Sequence, residues 1–229
     1  MSNRKTALIV GASRGLGLGL VDAFLSRGWD VIATVRGAHG RAGPEALGVK
    51  GSLTILELDI NAAEDVAALS KTLSGRVLDV LFVNAGVAPD PEIAVELVAL
   101  ESFVDTMITN ALSPLRIIGA LHALVHPEGI VAVMSSNMAS INNNGGGGWE
   151  TYRASKAALN QMLKSFAARH HDDRTYLCMS PGWVRTDMGG ASAPLDVETS
   201  VRGVVAAMLA RQGSGGVHFV DYRDQTVPW

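Results

Sequence analysis

This sequence predicts an α/β fold: one doubly wound parallel sheet of about seven strands, with helices on both faces. Three observations lead there. Short, wholly apolar runs such as residues 7–10, 31–35 and 80–83 have the length of strands and the character of strands covered on both faces. Segments with helical spacing alternate with them along the chain. The composition is 48% apolar and only 18% charged, with 25 glycines, which suits a Val/Ala/Leu/Ile core with many tight turns. A chain of 229 residues is expected to make one domain, residues 1–229.

The first run enters Gly11-Ala12-Ser13-Arg14-Gly15-Leu16-Gly17, after which Leu16, Leu20, Phe24 and Leu25 recur at helical spacing up to Arg27-Gly28. Strand, glycine turn and helix form a Rossmann-type phosphate-binding unit. Gly11 allows the tight turn, Gly15 lets backbone approach a pyrophosphate, Gly17 permits close packing, and the helix N-terminus offers free N–H donors. A P-loop is excluded, because no Gly-Lys-Ser/Thr closes the loop. The second strand, residues 31–35, ends at Arg36. A site for NAD(H) carries Asp or Glu about 20 residues after the glycine turn, to bond the ribose 2′-hydroxyl. Here Arg36 and Arg14 suit a 2′-phosphate, which guanidinium groups bond bidentately, so NADP(H) is favoured over NAD(H). The alternative reading is two solvated surface arginines.

Residues 37–51 hold five glycines and Pro44 and read as a loop, with at most a short helix near residues 45–47. Residues 53–58 are the third strand. Asp59 follows at the mouth of the sheet, where a doubly wound fold binds its ligand, although a plain turn residue is equally compatible. Asn61 with Glu64 resembles a capping box that starts the next helix. The fourth strand, residues 80–83, ends in Asn84-Ala85-Gly86. A helical pattern runs from about residue 101 to 124 through Asn110, and Pro114 within it implies a kink or break. Residues 130–134 are the fifth strand and deliver Ser135-Ser136. Asn142 to Gly148 is a polar, glycine-rich stretch, read as a mobile loop beside the site. A helix then carries Tyr152 and ends near Arg169-His170-His171. Residues 176–180 form the sixth strand, closed by Pro181-Gly182-Trp183-Val184-Arg185-Thr186. A helix over about 197–209 and a strand at 217–220 complete the chain.

Tyr152 and Lys156 lie four residues apart on one face of their helix. A free phenol has a pKa near ~10, and an ammonium beside it favours the ionised form, bringing the group nearer the neutral range useful for acid–base work. Tyr and Lys at this spacing also occur on ordinary helices, with the ring over apolar surface and the Lys solvated.

Net charge is −3 with no Lys/Arg run, which argues against nucleic acid or an anionic membrane surface as partner. Cys178 is the sole cysteine, so no disulfide forms within the chain, and its apolar run marks it as an inert strand residue. Residues 1–5 lead straight into a strand-like run and no stretch reaches the length of a membrane span, so a soluble, cytoplasmic protein is expected. His122 and His126 are four apart, but no Glu follows His122 in the metalloprotease manner and no third ligand is evident. They read as surface or helix-end histidines, with no metal site.

Taken in order, Gly11-Ala12-Ser13-Arg14-Gly15-Leu16-Gly17, Asn84-Ala85-Gly86, Asn110, Ser136, Tyr152 with Lys156, and Pro181-Gly182 resemble the short-chain dehydrogenase/reductase family over essentially the whole chain. Residues 134–136, 152–160 and 181–190, with 195–201, look most like its branch of C-factor and sniffer-type carbonyl reductases. The resemblance implies hydride transfer between a nicotinamide and a small-molecule carbonyl or alcohol. Tyr152 would be the general acid/base, Ser136 the holder of the carbonyl oxygen, and Asn110 the support of a water relay. Lys156 would lower the Tyr152 pKa and bond the nicotinamide ribose. Gly11, Ser13, Arg14, Gly15, Leu16, Gly17 and Arg36 would hold the pyrophosphate and adenosine end. Asp59 and Ile60 would meet the adenine, and Asn84, Ala85 and Gly86 the nearby ribose. Pro181, Gly182, Val184 and Thr186 would position the carboxamide. A homodimer through the helices around Asn110 and Tyr152 is also implied.

Two departures from the family stand out. Ser136 precedes Tyr152 by sixteen residues, more than usual, which leaves Ser135 and Ser140 as weaker candidates. The stretch between Thr186 and Val197 is short for a substrate lid, which predicts an open pocket and loose selectivity. The same residues would also serve a cofactor-binding regulatory protein of the C-factor type or a 3-oxoacyl thioester reductase. A nucleotide-sugar epimerase is disfavoured, since it needs an added substrate domain.

Overall fold

The computed structural model describes residues 4–47, 52–89 and 93–229. Seven strands, β1 (Thr6–Val10), β2 (Asp30–Val35), β3 (Ser52–Glu57), β4 (Leu78–Val83), β5 (Val125–Met134), β6 (Thr175–Ser180) and β7 (Gly216–Asp221), form one sheet in the order 3-2-1-4-5-6-7. Every neighbouring pair is parallel.

Because side chains alternate across a strand, each central strand feeds two cores. Leu8 and Val10 of β1, with Leu81 and Val83 of β4, pack on one face under α3 (Ala63–Thr72), α5 (Ser113–Leu121) and α6 (Glu150–His170). Ala7, Ile9, Val80 and Phe82 pack on the other face under α1 (Gly15–Leu25) and α7 (Val197–Ala210). Burial on both faces is what makes these strands read as unbroken apolar runs. Among the described residues no helix is long and apolar enough to cross a membrane.

Several boundaries differ from the sequence reading. The short helix α2 spans Ala42–Glu45, ahead of the predicted 45–47, and residues 48–51 lie outside the described chain. β5 begins at Val125, five residues before its apolar run, because Leu78 of β4 pairs with Val125 across a register shift. No capping box starts α3. Ala62 is its cap residue and makes no side-chain bond; Asn61 instead donates to Thr109 Oγ1 at 2.9 Å and accepts from Ser113 Oγ at 2.7 Å. The predicted break near Pro114 is a π-helical turn, Ile108–Leu112, between α4 (Leu100–Met107) and α5. Pro114 falls in the first turn of α5, where its missing N–H costs nothing.

His122 is at a helix end as read, but buried rather than at the surface. Its Nε2 lies 2.8 Å from the Tyr176 hydroxyl and 2.9 Å from Asp172 Oδ2. Burial holds its pKa below the ordinary value. Arg174 bonds both Asp172 and the Val125 carbonyl, tying the starts of β5 and β6 together. This polar knot lies at the N-terminal ends of the strands, opposite the end that carries the glycine turn.

Candidate active site

In the order 3-2-1-4, the chain leaves β1 in one direction toward β2 and returns on the other side at β4. The crevice beyond the C-terminal ends of these strands is where such sheets bind nucleotides. The glycine turn occupies it. Gly11 has φ +86°, and a Cβ there would sit 2.8 Å from the Ala85 backbone. At Gly17 a Cβ would meet the Gly11 carbonyl oxygen at 2.0 Å, so glycine is required for α1 to approach β1. The cap residue of α1, Arg14, makes no side-chain cap bond, and the first turn carries no acid. By contrast, Asp196 caps α7 by accepting from the Thr199 N–H at 2.7 Å. The N–H groups at the start of α1 therefore have no side-chain acceptor, the donor set an anionic pyrophosphate needs.

Several expected cofactor contacts are otherwise engaged. Asn84 does not face outward: its Nδ2 donates to the Gly11 carbonyl at 2.8 Å and ties the glycine turn to the end of β4. Ile60 is buried in the core with Leu58 and Val66. Asp59 Oδ1 accepts from the Asn61 N–H at 2.9 Å, so at least one carboxylate oxygen serves its own turn. Arg14 pairs with Asp187 at 2.5 Å on the surface. Arg36 is exposed at the end of β2, and Ser13 is half-buried beside Gly40. Leu16 packs against the core at the helix start. Thr186 Oγ1 accepts from the Gly189 N–H at 3.1 Å, and Val184 is buried, paired with Leu195. Pro181 is buried and accepts from Ser200 Oγ at 2.7 Å, while Gly182 at φ +81° has no room for a Cβ against Leu195.

Tyr152 and Lys156 share one face of the first turns of α6, beside the end of β5. The Tyr152 hydroxyl faces Ser136, whose Oγ accepts from the Met138 N–H at 3.1 Å. The other two serine candidates are engaged elsewhere. Ser135 Oγ donates to Asn160 Oδ1 at 2.6 Å, and Ser140 accepts from the Asn143 N–H at 3.1 Å. Lys156 is buried, and its Nζ donates to the Met134 carbonyl at 2.8 Å. That nitrogen lies 5.8 Å from the centre of the Tyr152 ring. A Cβ on Gly86 would lie 3.1 Å from Asn110 Oδ1 and 3.2 Å from Lys156 Nζ, so Gly86 leaves these two groups their space.

The electrostatics correct the sequence reading. Burial pushes the Tyr152 phenol up to about 12, and the facing Ser136 hydroxyl only partly opposes that. Burial also pulls Lys156 down to about 8. With the ammonium turned onto the Met134 carbonyl and itself desolvated, withdrawal of the phenol from water outweighs attraction to the ammonium. At neutral pH the phenol therefore holds its proton and Lys156 is mostly charged.

The Asn110 side chain is fully engaged. It is fully buried in the π turn; its Nδ2 donates to the Val87 carbonyl at 2.8 Å and to Ser155 Oγ at 2.9 Å, while Oδ1 accepts from the Val87 N–H at 2.8 Å. Ser155 Oγ in turn donates to the Tyr152 carbonyl at 2.7 Å. Both ends of the amide are thus used to lock the stretch after β4 onto α6. These bonds tie the π turn to the turn of α6 that carries Tyr152. A π turn at a functional position is a recurring device, and no sequence pattern marks this one. Ser155 was equally invisible beforehand, as was Trp149, whose ring meets that of Tyr152 edge-on.

The short chain dehydrogenase family model matches residues 5–194. C-signal of Myxococcus xanthus is 36% identical over 155 residues, 66% of this chain and 93% of that protein. A short-chain dehydrogenase/reductase structure from Burkholderia multivorans with bound NADP is 49% identical, covers 99% of this chain and 100% of that one, and superposes with a TM-score of 0.96. A carbonyl reductase from Pseudomonas aeruginosa PAO1 in complex with NADP is 42% identical over 99% of this chain and 100% of that one, with a TM-score of 0.90. Together with the site geometry, these place the chain in the short-chain dehydrogenase/reductase family, in the branch that holds C-signal and the sniffer-type carbonyl reductases.

Proposed function

We propose that the chain is an NADP(H)-dependent reductase of small carbonyl compounds, running in reverse as an alcohol dehydrogenase. The observation that carries this reading is Tyr152 facing Ser136 with buried Lys156 beside it, in the crevice that also holds an uncapped glycine turn. Bound in this crevice by the glycine turn, NADPH would supply the hydride that a carbonyl carbon needs. Tyr152, protonated at neutral pH, gives its proton to the carbonyl oxygen. Ser136 fixes that oxygen by hydrogen bond and aligns it with the phenol. Lys156 stabilises the phenolate left behind, since a nearby positive charge favours the ionised form. Asn110 and Ser155 keep the first turn of α6 in register.

The two NADP-bound neighbours support the cofactor choice, and so do Arg36 and Arg14 at the adenosine end. The test is a panel of aldehydes and ketones assayed with NADPH and NADH in parallel. Turnover is expected with NADPH as the better cofactor. Hydrogen bonds to charged groups contribute about 1.5–3 kcal/mol, and exposure puts Arg36 at the low end. Arg36→Ala is therefore expected to raise KM for NADPH roughly tenfold and leave KM for NADH unchanged. Equal effects on both cofactors would count against a 2′-phosphate contact.

The likeness to C-signal supports a second reading, a cofactor-binding protein with a signalling role. A Tyr152→Phe protein that loses turnover yet keeps its biological role would favour it.

A homodimer also fits the surface. Leu97, Leu100 and Val104 around α4, with Met162 on α6, are exposed apolar residues on the helices the family resemblance implicates. Light scattering is expected to return twice the chain mass of 24.0 kDa; a monomer at micromolar concentration would overturn it.

A further inference from the structure

We propose that Trp149 is a specificity residue that favours carbonyl substrates with a flat, conjugated ring next to the reacting carbon. The proposal names the substrate class for the site above and rests on reading Tyr152 as the proton donor. Gly147, Gly148 and Trp149 have successive φ values of +65°, +66° and +56°. Glycine enters this left-handed region freely, whereas a bulky aromatic residue rarely does. Neighbouring contacts hold it there. Arg153 Nε donates to the Gly148 carbonyl at 2.8 Å, its Nη2 to the Gly147 carbonyl at 3.2 Å, and its backbone N–H to the Trp149 carbonyl at 2.8 Å.

Core packing does not explain the strain, because Trp149 belongs to neither core cluster and stays partly exposed. What the conformation achieves is the placement of the indole. Its ring centre lies 5.9 Å from that of Tyr152, with the planes 70° apart. An indole packed against the Tyr152 ring is placed to flank a group attached to a carbonyl that accepts the Tyr152 proton. A broad π surface there rewards a flat partner, and aromatic pairs contribute beyond area burial by an amount equivalent to roughly three- to tenfold in binding. The arrangement is compatible with an open pocket, since one wall selects for flatness while the short segment after Thr186 does not enclose the substrate.

The test compares benzaldehyde with cyclohexanecarbaldehyde, equal in ring size but not flat, using NADPH with the wild type, Trp149→Ala, Trp149→Phe and Trp149→Gly. The ratio of kcat/KM for the aromatic over the saturated aldehyde is expected to fall roughly three- to tenfold in Trp149→Ala and to survive in Trp149→Phe. Trp149→Gly relieves the backbone and is expected to leave Tm unchanged or raised while losing the same preference, which separates specificity from folding. An unchanged ratio in Trp149→Ala overturns the proposal. If no variant, wild type included, turns over any carbonyl, the reductase reading fails by itself. Calorimetric binding of acetophenone to the protein saturated with NADP+ then decides about Trp149: weaker binding by Trp149→Ala upholds its role, and equal binding ends it.

Discussion

Tyr152→Phe is expected to lower carbonyl reduction by roughly 10²- to 10⁴-fold, the range a positioned general acid contributes, while leaving NADPH affinity within a few-fold of wild type. The phenol hydroxyl is the group that can give a proton beside Ser136, and the change removes that oxygen while keeping the ring against Trp149. The pH dependence follows from the two perturbed groups. Tyr152, pushed up to about 12, stays protonated across the useful range and is competent as a donor throughout. Lys156, pulled down to about 8, carries its charge below that pH and loses it above. Reduction is therefore expected to be level through neutral pH and to fall as pH rises past about 8. Alcohol oxidation needs the phenolate and is expected to rise with pH instead. Lys156→Met should abolish the break near 8 together with most of the activity. Stopped-flow loss of NADPH absorbance from pH 6 to 10 checks both statements. Wild-type rates in Tyr152→Phe would remove the phenol from the chemistry.

Gly17→Ala is expected to be among the most damaging single-carbon changes at the described glycines. The added Cβ would lie 2.0 Å from the Gly11 carbonyl oxygen and 2.7 Å from Asn84 Nδ2. Neither neighbour is a flexible side-chain end: one is backbone of the glycine turn, and the other is the amide that holds that turn. Helix α1 must move away from β1, which spoils the donor set at its N-terminus. Overpacking of this kind costs on the order of 3 kcal/mol or more, which for a domain of this size lowers Tm by roughly 6–12 °C, with NADPH binding lost alongside. Gly145→Ala is the control, because nothing lies within 4 Å of its added carbon and its φ is not positive; its Tm should match the wild type within about a degree. Calorimetric melting with and without NADPH distinguishes the two variants, and equal Tm values would show that the glycine turn tolerates a wider approach.

Much of this was legible in the residues because the governing physics is local. A strand buried on both faces must be apolar at every position, so β1, β2 and β4 appear as unbroken runs. A backbone that turns at φ +86° beside another chain segment admits only glycine, so Gly11 and Gly17 mark the turn. A helix repeats every 3.6 residues, so Tyr152 and Lys156 at i and i+4 share a face whatever surrounds them. Together these determined the fold class, the crevice and the pairing of Tyr152 with Lys156 on one helix face.

Tertiary structure alone decided what those groups experience. The Tyr152 proton affinity depends on burial and on where the Lys156 ammonium points, and both are set by β5 and the π turn, far off in sequence. Asn84 and Asn110 look like ligand-facing amides until Gly11, Val87 and Ser155 claim their hydrogen bonds. Trp149 carries no signal beyond the four glycines before it, and its place edge-on against Tyr152 goes with Arg153 gripping the loop. Spacing along a chain reports which side chains share a face; only packing reports how much water, charge and strain each of them meets.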